Sequence, residues 1–138
     1  MIRRINLWGG PSAGKSRTAA RLFSDLKDWK SNSASALEVE LVREYVKDWA
    51  WTGRSIEGWD QLHIFSEQLR REETLLRNGV DVIVTDCPIG LNAFYAQHNK
   101  LSFANDLMAM AWKYEQQYPS INILLARPSI NHIFSMQI

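Results

Sequence analysis

Cysteine is almost missing from this chain of 138 residues, since Cys87 is the only one. No intrachain disulfide can form, and there is no thiol set for a metal. A reducing compartment fits that scarcity. Long apolar runs are missing too. No stretch approaches the roughly 18 uninterrupted apolar residues that a membrane span needs. The opening Met1-Ile2-Arg3-Arg4 turns polar again by Asn6, without the apolar run and cleavage site of a secretion signal. An excess of one charge is also absent: 16 Lys and Arg stand against 15 Asp and Glu, for a formal net charge of +1. No Lys/Arg run makes a basic stripe, which counts against nucleic-acid binding by bulk charge. A cytoplasmic chain without membrane or nucleic-acid partners is the expectation.

What is present suits one domain over residues 1–138. The 46% hydrophobic content is enough to bury one core. Segments of two periodicities alternate along the chain. Ile5-Asn6-Leu7-Trp8 reads as a short strand running into glycines. From Lys15 to about Trp29, Ala19, Leu22, Phe23, Leu26 and Trp29 fall at helical spacing. After a polar loop at Ser31–Ser35, Leu37, Val39 and Leu41 alternate with Glu38 and Glu40, the pattern of a second strand. Glu44–Trp59 reads as helix and turn broken at Gly53 and Gly58. Asp60 is placed to cap the next helix, with Leu62, Phe65, Leu69 and Leu76 on one face and a stop at Asn78-Gly79. Val80–Thr85 reads as a buried strand. Ser102 would cap a helix whose inner face carries Phe103, Leu107, Met110, Ala111, Tyr114 and Tyr118, and Pro119 would end it. Ile121–Ala126 reads as a further buried strand. Strands alternating with helices imply βαβ units, a mainly parallel sheet and helices on both faces, an α/β fold of three αβα layers.

The most specific signal is Gly9-Gly10-Pro11-Ser12-Ala13-Gly14-Lys15-Ser16, a full match to G-x-x-x-x-G-K-[ST]. Ordinary residue frequencies give such a match in fewer than about one window in 10⁴. Each position has a physical task. The glycines let the backbone turn tightly and aim successive N–H groups at phosphate oxygens. The following helix adds its dipole and free amides. Lys15 supplies a cation to the β- and γ-phosphates, and the Ser16 hydroxyl can ligate Mg²⁺. The expected nucleotide-binding set is therefore Gly9, Gly10, Pro11, Ser12, Ala13, Gly14, Lys15, Ser16 and Arg17, and the expected ligand is ATP with Mg²⁺.

The second signal is Val80-Asp81-Val82-Ile83-Val84-Thr85-Asp86, an apolar strand ending in Asp. That is the Walker B arrangement, in which the carboxylate holds Mg²⁺ directly or through water. Ser16 and Asp86 are the expected metal ligands, and Lys15, Glu44 and Asp86 the expected catalytic residues. Arg43-Glu44-Tyr45 stands at the end of the second strand, where parallel sheets place ligand crevices. Glu44 could take a proton from a substrate hydroxyl, and Arg43 could bind a phosphate; a solvated loop pair would read the same way. Trp49, Trp51 and Trp59 could form a wall for a base or sugar, or simply cover a core. Arg70-Arg71 beside Glu72-Glu73 reads as a surface charge face. His63, His98 and His132 have no mutual spacing suited to a metal.

With these pieces in place, the chain resembles the P-loop nucleoside and nucleotide kinases. Within them it is most similar to the AAA-domain ATPases related to the nicotinamide riboside kinase domain, many of them from bacteriophages. The resemblance rests on Leu7–Ser16, Val42-Arg43-Glu44-Tyr45, the Gln61–Glu73 helix and Val82–Pro88, and spans residues 2 to about 127. It implies a P-loop NTPase fold with the Asp86 strand beside the P-loop strand. It implies phosphoryl transfer from ATP to a small nucleoside or nucleotide-like acceptor, with Glu44 and Asp86 as the acidic pair near the γ-phosphate. Two departures stand out. Many nucleotide kinases have Asp-Arg where this chain has Asp86-Cys87. Such kinases also continue into an Arg-bearing lid and another strand, whereas 11 residues follow Arg127 (138 − 127). The expectation is a shortened version that binds ATP and turns it over slowly, unless another subunit supplies an arginine. An uncovered sheet edge and an apolar tail would favour self-association. Two other readings stay open: a nucleotide-binding regulatory module without transferase activity, and a nucleic-acid-processing ATPase.

Overall fold

The computed structural model describes residues 1–10, 13–31 and 37–126. Its elements run β1 (Arg4–Trp8), α1 (Lys15–Ser31), β2 (Val39–Val42), α2 (Lys47–Trp51), α3 (Asp60–Arg77), β3 (Val82–Thr85), α4 (Ile89–His98), α5 (Ala104–Gln117) and β4 (Ser120–Leu124). The strands form one sheet in the order β2-β3-β1-β4, and every pairing is parallel. The strand that precedes the glycine-rich loop is thus flanked by the strand that ends before Asp86. Ile5 is in register with Val84 on one side and Ile121 on the other.

Strand alternation sends neighbouring residues to opposite faces, and the packing follows it. Ile83 and Val42 join Phe65, Leu76, Ile89, Ala93, Leu107 and Tyr114 in one cluster, against α3, α4 and α5. Val84 and Leu7 join Ala19, with Leu22, Leu26 and Leu41 packed around them, against α1. The result is the three-layer arrangement expected. Each large apolar side chain fully buried here contributes roughly 1.5–3 kcal/mol, and the helix-rich face holds most of them.

Several expectations need correcting. α1 runs on to Ser31, and Trp29 is exposed rather than inward. β2 and β3 are four residues each, shorter than the apolar patterns suggested. Asp60 is the first residue of α3 and caps nothing within it. Its carboxylate accepts instead from the Glu57 N–H at 2.9 Å, closing the turn before the helix. Ser102 is no cap either: α5 begins at Ala104 after Phe103, with no side-chain cap bond. Met110 points to solvent. The largest change concerns β4. It was expected to be buried, yet it lies at an end of the described sheet, and Ile121, Ile123 and Leu124 are exposed. Residues Arg127–Ile138, on which the lid and tail expectations rest, lie outside the described residues, as do Pro11 and Ser12.

Candidate functional site

The carboxyl ends of β1, β2 and β3 open into one cavity of about 480 Å³. Its lining is Gly10, Ala13, Gly14, Lys15, Ser16, Arg17, Glu44, Lys47 and Tyr95. Three parts of the chain meet there. The first is the turn out of β1. Gly14 sits at φ +86°, a left-handed backbone that L side chains rarely adopt, and its carbonyl accepts from the Thr18 N–H at 2.9 Å. Gly9 is held by proximity: a Cβ there would come within 2.9 Å of the Ala13 Cβ and 3.3 Å of the Leu125 carbonyl. α1 starts at Lys15, so its free amides face the same opening.

The second part is the end of β3. The Thr85 hydroxyl accepts from the Cys87 N–H at 3.0 Å, a local turn that fixes the buried Asp86 between them. The Ser16 hydroxyl donates to Asp86 Oδ2 at 2.7 Å, tying the start of α1 to the end of β3 across 70 residues. Asp86 Oδ1 is buried without a hydrogen-bond partner.

The third part is the exit of β2. Buried Gln68 of α3 accepts from the Tyr45 N–H at 2.8 Å and donates to the Arg43 carbonyl at 3.2 Å. That clamp on both neighbours of Glu44 sets its position. Burial pushes the Glu44 carboxyl above its ordinary value; Lys15 opposes this, Asp86 adds to it, and Lys47 opposes it. Lys47 opens α2 one turn later. Its ammonium donates to Ser16 Oγ and lies 3.6 Å from Asp86 Oδ2.

The structure brings Gly10, Ala13, Gly14, Lys15, Ser16, Arg17 and Glu44 to one cavity, with Asp86 bonded to its wall. Other candidates lie elsewhere. Arg43 lines a separate cavity of about 380 Å³ with Arg70 and Arg71. Trp49, Trp51 and Trp59 do not form one wall. Trp49 is buried, stacked on His63 at 6.1 Å with the Arg54 guanidinium 3.5 Å over its ring. Trp51 is 88% exposed, and Trp59 stacks on Phe103 at 4.4 Å. His63 meets the Tyr45 hydroxyl at 3.1 Å. Arg70 and Arg71 pair with Glu67 on the surface of α3. Cys87 is buried and its thiol is pushed up, chiefly by burial, so it is held in the unreactive thiol form.

Gln68, Lys47 and Tyr95 were missed. Tyr95 came with α4, which the sequence reading passed over. Beside it lies an apolar cavity of about 360 Å³, lined by Trp8, Gly9, Gly10, Leu91, Phe94, Tyr95 and Leu124.

A glycine-rich turn between a central parallel strand and a helix, bonded through Ser16 to an acid on the neighbouring strand, defines a P-loop NTPase fold of the kinase-like kind. A mutant APS kinase from Mycobacterium tuberculosis has a similar structure, at TM-score 0.51 and 12% identity, over 94% of this chain and 82% of that one. The AAA domain family is matched over residues 4–133, and the chain belongs to that family. No curated protein matches it.

Proposed function

We propose that the chain binds ATP with Mg²⁺ at the Gly9–Ser16 loop and transfers its terminal phosphoryl group to a small nucleoside or nucleotide-like acceptor. The observation that carries the reading is the Ser16–Asp86 contact at 2.7 Å. It joins the two motifs at the mouth of a cavity that also holds Lys15 and Glu44.

The oxygen set fits Mg²⁺. Ser16 Oγ and Asp86 are hard donors, and the unpartnered Asp86 Oδ1 keeps capacity in reserve. Among the described residues no group of three His, Cys, Asp or Glu could hold a metal alone. When bound, Mg²⁺ would neutralise charge on the β- and γ-phosphate oxygens.

The chain's own residues would divide the remaining work. Backbone amides of Gly10, Ala13, Gly14, Lys15 and Ser16 cradle the phosphates, Lys15 faces the β- and γ-oxygens, and Arg17 adds charge at the rim. Glu44, its proton affinity raised by burial, accepts the proton of an acceptor hydroxyl. The apolar cavity beside Gly9 and Gly10 gives the nucleobase the rings of Phe94 and Tyr95 to lie on. Arg43, in its separate cavity with Arg70 and Arg71, and exposed Trp51 of α2 remain candidates for the outer part of an acceptor. The fold needs little covalent chemistry for such a transfer, which rests on positioning and charge.

The test is ATP turnover by the purified chain, with and without a panel of nucleosides and mononucleotides, beside a calorimetric ATP titration in Mg²⁺. Binding together with acceptor-dependent ADP release is expected. Binding with no acceptor-dependent release across the panel would leave a nucleotide-binding module without transferase activity. No binding would sink both.

A further inference from the structure

Lys47 is a cation in this cavity that neither motif accounts for. It sits three residues after Glu44, at the start of α2. Its Nζ donates to Ser16 Oγ and stands 3.6 Å from Asp86 Oδ2. Both oxygens belong to the residues assigned above to the metal, Ser16 and Asp86. We propose that Lys47 is an internal counter-cation of the metal site: its ammonium and the divalent ion are alternatives on the Ser16–Asp86 pair, and metal-loaded nucleotide binds by displacing it. The inference rests on the Mg²⁺ reading of Ser16 and Asp86.

Two physical points support exclusion rather than sharing. The Ser16 hydroxyl has one proton and two lone pairs. It gives the proton to Asp86 and one lone pair to Lys47, so a metal ion on the remaining lone pair would be crowded against the ammonium on one small oxygen. A divalent ion there would also stand next to a positive charge at contact distance, where like charges repel most.

Displacement needs only the side chain to move. The Lys47 side chain is 40% exposed at the rim, and its stem is flexible and unbranched. The helix beneath it stays anchored by buried Trp49, which packs edge-on against Tyr45 at 6.3 Å. Until metal arrives, the ammonium offsets the charge of Asp86 and Glu44. In doing so it lends the site some affinity for metal-free nucleotide.

The consequence is a signature in binding linkage. ADP serves as the probe, because it carries the phosphates and cannot turn over. Its dissociation constant is measured by calorimetry in EDTA and in saturating Mg²⁺, and the ratio of the two is the coupling between metal and nucleotide. The ratio is taken within one preparation, so a partly inactive sample does not bias it. Lys47→Gln is expected to weaken ADP binding in EDTA and to spare or improve it in Mg²⁺. The ratio should rise by about tenfold, the worth of one charge-assisted contact of roughly 1.4 kcal/mol. Asp86→Asn is the reference, expected to bring the ratio down towards one.

A Lys47→Gln ratio equal to or below the wild-type ratio, with Asp86→Asn still collapsing it, would overturn the counter-cation role and leave the metal reading standing. An Asp86→Asn ratio unchanged from wild type would overturn the metal reading, and the role of Lys47 with it.

Discussion

At the amino end of the sheet, the Arg4 guanidinium donates to Glu72 at 3.0 Å, to Glu115 at 2.7 Å and to the Tyr118 carbonyl at 2.8 Å. At the carboxyl end, Ser16 and Lys47 converge on Asp86, with Glu44 and Lys15 nearby. Both ends hold two carboxylates and basic side chains against strands β1 and β3. They use them in opposite ways. Arg4 and Glu72 are 2% and 0% exposed, and the Arg4 charge is already answered twice. The ring of Tyr114 lies 4.3 Å below its guanidinium, and the Tyr114 hydroxyl donates to Glu72 at 3.2 Å. At the other end, Lys47 and Ser16 reach solvent and border a cavity of about 480 Å³. A larger cavity, about 560 Å³, borders Arg4 and Glu115. Size does not choose between the two ends. Access to water does: charges shut away from solvent, as Arg4 and Glu72 are, hold the fold together, and charges that reach it, as Lys47 does, are left for a ligand.

If that contrast is right, damage at the two ends should separate into stability and binding. The largest effect expected is from Arg4→Ala. It strands Glu72 in the core with its other oxygen, Oε2, already unpartnered. Removing one partner of a buried ion pair costs about 3–5 kcal/mol. Denaturant unfolding near neutral pH should show the loss, and an Arg4→Ala chain as stable as wild type would break the comparison at this end. Next in size is Lys15→Ala. ATP affinity should fall roughly 10–100-fold, the range for charged hydrogen bonds of about 1.5–3 kcal/mol, while the unfolding midpoint stays put. Unchanged ATP affinity in calorimetry would remove the phosphate cradle from the argument.

The same contrast explains what could be read in advance. The loop was legible because its residues are contiguous and its flanks, Ile5–Trp8 and the Lys15 helix, carry clean periodicities. Asp86 was legible because it ends an apolar run, and Glu44 because it ends a strand. Lys47 and Gln68 were not, since each acts on residues that only the fold brings near. Nothing in the Lys47-Asp48-Trp49 stretch itself points at Ser16. The Arg4–Glu72 pair is separated by 68 residues, and an arginine that opens a strand looks like an ordinary surface residue. α4 was passed over for a different reason. Ile89, Leu91, Asn92, Ala93 and Ala96 are all buried, so it has little of the polar face that makes a helix visible by its period. β4 failed in the reverse sense. Ser-Ile-Asn-Ile-Leu reads alike at the centre of a sheet and at its end, and only the neighbours decide.

The smallest effect expected per step is on pH dependence, and it probes how the buried amino-end cluster holds its charge. Burial raises the Glu72 carboxyl from 4.5 to about 7, against the opposing pull of the Arg4 charge and of hydrogen bonds from Arg4 and Tyr114. In the unfolded chain the same group titrates near 4.5. Below that value both states hold the proton, and its contribution to stability is fully present. Between 4.5 and about 7 the folded state keeps a proton that the unfolded state has released. Stability from this group therefore falls as pH rises through that window, and it is lost above about 7. The total is on the order of 3 kcal/mol, the rise from 4.5 to about 7 at about 1.4 kcal/mol per pKa unit, and it is spread over more than two pH units. Glu72→Gln keeps an acceptor for Arg4 and Tyr114 and cannot titrate. Denaturant midpoints of the two proteins at pH 5, 6, 7 and 8 should diverge in one direction, with the glutamine variant gaining on wild type as pH rises. Ionisations common to both proteins cancel in the difference. A constant gap across the series would mean that Glu72 stays ionised throughout. The amino end would then be a plain buried ion pair, with its charge held by Arg4 alone.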